Sequence, residues 1–107
     1  MKLDLGTLVN ETFDLVLDGK NIVSVDKAGK QLYLELEDGF NKIQGAKNMQ
    51  DAVDITEELA LKVLNNNSQG KVFDSKKLEE LKINFTTQAH IVGAYRQFIT
   101  TFANNPN

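Results

Sequence analysis

The chain of 107 residues contains no cysteine, so it can form no disulfide and no thiolate metal site, which is consistent with a reducing compartment. It has a single histidine, His90, with no second histidine three or four residues away to share a metal ion. In "TTQAHIVGAY" that side chain reads as a surface or boundary residue of a helix. No apolar run approaches the ~20 residues of a membrane span. The opening "MKLDLGTLVN" lacks a continuous apolar core and carries Asp4 among its first apolar residues, so a signal peptide is not expected and a cytoplasmic location is. Positive charge is not in excess: 12 Lys and Arg stand against 15 Asp and Glu, and the basic residues are dispersed. Counterion release would contribute little, which disfavours a primary nucleic-acid role.

Motifs of catalysis are also missing. The glycines in "DGK", "KAGKQ" and "SQGKV" each stand beside a lysine, without the spacing of a phosphate-binding loop or a dinucleotide fingerprint, and read as turns. The adjacent acids Glu57 and Glu58, and Glu79 and Glu80, would project about 100° apart on a helix and read as solvated surface. No catalytic residue, cofactor or metal ligand is therefore expected.

What is present is an ordinary globular composition, 41% apolar and 25% charged, of a length suited to one domain over residues 1–107. In "TFDLVLDGKNIVSV" Phe13, Leu15 and Leu17 alternate with Asp14, Val16 and Asp18, the period of a strand with one apolar face. Asp18-Gly19 marks a hairpin. A two-residue Asp-Gly turn would pair Leu15 with Ile22, whereas a three-residue loop pairs Leu15 with Val23 and Phe13 with Val25; the second gives the cleaner apolar face. Leu32, Leu36, Phe40 and Ile43 then trace a helical stripe that Gly45 ends, although "QLYLEL" also alternates like a strand. Helix is the preferred reading, because the stripe continues to Ile43.

A further helix is expected over Met49–Leu64, burying Met49, Ala52, Val53, Leu59, Ala60, Val63 and Leu64 with Ile55 at the edge. "LNNNSQG" stops it, Phe73 should pin the following connection to the core, and Asp74 should cap a short helix through Leu78 and Leu81. The last segment is a long amphipathic helix capped by Asn84 or Thr86, with Phe85, Ala89, Val92, Tyr95, Ile99 and Phe102 in one line; Pro106 prevents continuation. Ile91, Ala94 and Phe98 add a second line. Burial of both lines in the domain's own core is preferred over a partner surface on the second. The fold class is α+β: an N-terminal β-hairpin followed by a mainly helical bundle with a long C-terminal amphipathic helix.

The order of these features resembles the short tail assembly chaperones of long-tailed bacteriophages and prophages of Gram-positive bacteria. The likeness covers nearly the whole chain and is most specific at "LNNN" with Gly70, Phe73 and Asp74, at Ala94-Tyr95 with Phe98, and at the closing "NNPN". The resemblance implies a non-enzymatic role: coating the long tape measure protein to keep it soluble, and helping to recruit tail tube proteins. It also implies a longer product made by ribosomal frameshifting. A coat that later leaves should bind by many weak repeated contacts. Candidate protein-binding residues are Leu3, Leu5, Leu8 and Val9 of the N-terminal segment, and Ile91 and Phe98 of the last helix. Self-association into a homo-oligomer is expected, because an apolar N-terminal segment ahead of a two-stranded hairpin invites edge pairing or packing between subunits. A small non-enzymatic adaptor or regulatory protein-binding domain is the alternative reading.

Overall fold

A computed structural model describes residues 10–104, with side chains as far as residue 100. Among these residues the order is β1 (Phe13–Asp18), β2 (Asn21–Val25), α1 (Lys30–Gln44), α2 (Met49–Leu64), α3 (Ser75–Glu80) and α4 (Phe85–Asn104). This is an α+β arrangement in which the two-stranded antiparallel sheet precedes the helices.

The hairpin adopts the register with the cleaner apolar face: Phe13 lies opposite Val25 and Leu15 opposite Val23. It reaches that register by a different route from a three-residue loop. Asp18 pairs with Asn21 around Gly19 and Lys20, and the register shifts between Val16 and Asp18, leaving Leu17 as an extra residue on β1. The Asp18 carboxylate holds the turn by accepting from the Lys20 and Asn21 amides at 3.1 and 3.0 Å.

"QLYLEL" is helical. Its alternation is shared by both periods, but only the helix carries the stripe onward, with Leu36 and Gly39 buried and Leu32, Phe40 and Ile43 packed against the core. Gly45 does end α1, with φ of −92°, so the stop uses no left-handed geometry. Helix α2 begins where Asn48 accepts from the Asp51 amide at 2.9 Å. Its buried residues are Thr56, Leu59, Ala60, Val63 and Leu64. Met49, expected on that face, is 71% exposed, because the first turn lies outside the stretch of α2 that reaches the core.

The connection after α2 explains its three asparagines. Asn65 donates to the Phe73 carbonyl at 3.0 Å and accepts from the Phe73 amide at 2.7 Å, as a neighbouring strand would. Asn66 holds Asp26, just past β2: its carbonyl accepts from the Asp26 amide at 2.8 Å and its side chain donates to the Asp26 carbonyl at 2.9 Å. Asn67 closes its own loop, donating to Leu64 and Lys71 carbonyls and accepting from Gln69 and Lys71 amides. Gly70, at φ of +76°, supplies the left-handed residue this loop requires. Phe73 is pinned in the core at 5% exposure, and Asp74 caps α3 by accepting from the Lys77 amide at 2.8 Å.

Helix α4 is rotated relative to the line read from the sequence. Gln88, Ile91, Val92, Tyr95 and Ile99 are buried, whereas Ala89 is exposed and Phe85 is 39% exposed. The polar Gln88 can face inward because its amide donates to the Ile83 carbonyl at 2.9 Å. Asn84 caps the helix by accepting from the Thr87 amide at 3.1 Å. The side chain of Phe102 lies outside the described residues.

Candidate functional site

Leu3, Leu5, Leu8 and Val9 lie outside the described residues. The other two candidates fall in the interior. Ile91 is 6% exposed, and Phe98 is half-buried, with its ring 5.6 Å from Phe13 and 6.0 Å from Tyr95. Through Phe98 the second apolar line of α4 meets the apolar face of β1, whereas Ala94 of that line is exposed. Ile91 is corrected from a partner-facing residue to a core residue: the rotation that brings Gln88 inward brings Ile91 with it. The three aromatic rings, with Phe13 edge-on to Tyr95 at 5.6 Å, join hairpin and helix.

At the end of this contact the Tyr95 hydroxyl donates to the Asp26 carbonyl at 2.6 Å, the same carbonyl that accepts from Asn66. Burial raises the pKa of Tyr95 above the ordinary tyrosine value; the Asn66 side chain opposes this, and the Asp26 charge adds to it.

Apolar surface lies elsewhere. Val16 and Ile22 face each other on the solvent side of the hairpin at 68% and 44% exposure. Tyr33 and Leu34 are exposed on the outer side of α1, where Leu34 sits in an open depression bordered by Lys30, Gln31, Glu35 and Asp38. Glu35 is held below the usual carboxylate range by the Gln31 amide and then by Lys62, which lies 3.2 Å away. Arg96 ties α4 to α1, contacting Glu37 at 3.2 Å and covering the Phe40 ring at 4.4 Å. Sequence reasoning missed Tyr33 and Leu34 as surface residues because Leu34 shares the alternation of "QLYLEL"; the helical stripe itself was the signal that left them outside.

His90 is exposed. Glu57 and Glu79 border one depression between α2 and α3, and neither Glu58 nor Glu80 lines it. No group of three or more His, Cys, Asp or Glu able to hold a metal ion occurs among the described residues.

Compared with known proteins, the chain matches no protein-family model, no curated sequence and no solved structure. No helix among the described residues is long and apolar enough to cross a membrane.

Proposed function

We propose that the chain is a phage tail assembly chaperone that coats the tape measure protein in the host cytoplasm, keeps it soluble, and helps recruit tail tube subunits. The observation that supports this reading is where the resembling segments meet. Asn66 of "LNNN" from one segment and Tyr95 from another meet at the Asp26 carbonyl, with the Phe98 ring beside Tyr95. Part of the likeness therefore falls on one junction of the fold. Exposed apolar side chains occupy several small areas, which suits a subunit that makes modest contacts repeated along an extended apolar partner.

Within this reading, Tyr33 and Leu34 on α1 are contacts to the tape measure protein, in place of Ile91. The test is co-expression with a tape measure protein, the very long helical chain whose gene this reading expects beside that of this chain, scoring soluble yield. The unmutated chain should raise that yield. The pair Tyr33→Ser and Leu34→Ser should lower it while leaving the thermal melt unchanged, because both side chains are exposed. An unmutated chain that leaves the long protein insoluble sinks the chaperone reading; a normal yield with the double variant removes α1 from the contact.

A further inference from the structure

The two edges of the hairpin are treated differently. Outside β2, the Gln69 side chain accepts from the Ser24 amide at 2.9 Å and donates to the Ile22 carbonyl at 3.3 Å, and the Lys71 ammonium reaches the same carbonyl at 2.6 Å. Asn67 adds a bridge to Val25. That edge is closed by the asparagine loop. Because the main-chain groups of Ile22 and Ser24 point outward, those of their cross-strand neighbours Val16 and Asp14 point out of the opposite edge. Among the described residues nothing pairs with them. Burial shows the same asymmetry: Val23 and Val25 on β2 are 0% exposed, whereas Phe13, Leu15 and Leu17 on β1 are only half-buried.

We infer that the outer edge of β1 pairs antiparallel with β1 of a second copy of this chain, joining two hairpins into a four-stranded sheet across a two-fold axis at Leu15. Charge selects the register. Hydrogen bonds from Thr12 and then Ser24 hold the Asp14 carboxyl below the usual range, so it is ionised at neutral pH. A register opposing Asp14 to Asp14 places like charges face to face, and one opposing Val16 to Val16 brings Asp14 against Asp18 of the second copy. The register between them opposes Asp14 to Val16 twice, with four main-chain hydrogen bonds. It also sets Leu15 against Leu15 and Phe13 against Leu17, extending the apolar face over the half-covered residues of β1. Such an interface is self-complementary, as a two-fold contact must be. The inference concerns the chain alone: failure to solubilise a tape measure protein would leave it standing, and a strictly monomeric chain would leave the chaperone reading standing.

Sedimentation over a concentration series tests it. The unmutated chain should dimerise, and the Asp14 and Val16 amides should gain protection from hydrogen exchange as it does. Val16→Pro removes an outward N–H that β2 does not use, so the variant should stay folded and sediment as a monomer. Val16→Asp creates two facing carboxylate pairs and should weaken dimerisation about tenfold. Adding Asp14→Lys should restore it to within about threefold of the unmutated chain, since each new aspartate then faces a lysine. A chain monomeric at millimolar concentration overturns the inference, as does a folded Val16→Pro variant that still dimerises. Should Val16→Pro unfold, the charge pair decides: Val16→Asp without effect, or a double variant no better than the single one, overturns the register.

Discussion

Asn65 turns both ends of its amide toward one residue, and that requires an asparagine. An acceptor alone would satisfy the Phe73 amide and leave its carbonyl facing nothing. Asn65→Ala should therefore destabilise the fold by about 2 kcal/mol in chemical denaturation. Asn65→Asp should not rescue it, because a carboxylate has no proton to offer that carbonyl. Phe73 is the side chain this clamp positions, and its truncation to alanine should cost about 3–5 kcal/mol through lost burial and the cavity left behind. A loss below about 0.5 kcal/mol would mean that the core closes over the gap.

Among the helices, two glycines make opposite predictions for one substitution. A Cβ on Gly39 of α1 would lie 2.6 Å from the Leu59 side chain of α2, and Leu59 is 2% exposed with little room to move. Gly39→Ala should destabilise by about 1–3 kcal/mol despite its better helix propensity, because it pushes α1 off α2. Gly93 of α4 has nothing within 4 Å, and Gly93→Ala should stabilise by about 0.5–1 kcal/mol. Thermal melts of the two variants should move in opposite directions. Helix α3 ends with the Ile83 amide on the Leu78 carbonyl at 2.9 Å and the Lys82 amide on the Glu79 carbonyl at 3.0 Å, with Lys82 left-handed at φ of 59°. That position favours glycine, so Lys82→Gly should raise stability by about 1 kcal/mol. Denaturant midpoints check this, and a lower midpoint would show that the lysine side chain contributes more than its backbone geometry costs.

For the molecule as a whole, Asp26 is the point where hairpin, asparagine loop and α4 are held together. The Tyr95 hydroxyl is part of that junction, and its pKa is raised by burial. The folded chain therefore keeps a proton that the unfolded chain gives up. The contribution of Tyr95 is fully present below about pH 10, the unfolded tyrosine value, and is lost as pH rises through the higher folded value. Stability should fall above about pH 10. The Tyr95→Phe variant should be less stable at neutral pH by about 1 kcal/mol, with a shallower fall in the alkaline range. Equal alkaline slopes in denaturation curves would assign the loss to other groups.

Period and punctuation carry local structure, and here they sufficed for the hairpin register, the bounds of α2, the helix over residues 30–44, and the roles of Phe73 and Asp74. Apart from the burial of Phe73 in the common core, each depends on interactions within a few residues or across one turn, which the order of residue types specifies directly. Which way α4 faces was decided by the tertiary structure: Gln88 and Ile91 are both buried where α4 packs on the rest of the fold, and the Ile83 carbonyl, by accepting from the Gln88 amide, lets that polar side chain lie there. The division of work among Asn65, Asn66 and Asn67 is likewise tertiary. Three identical side chains receive Phe73, Asp26 and their own loop as partners, 8 and 40 positions away for the first two, and identical residues carry no mark of which partner folding will bring to each.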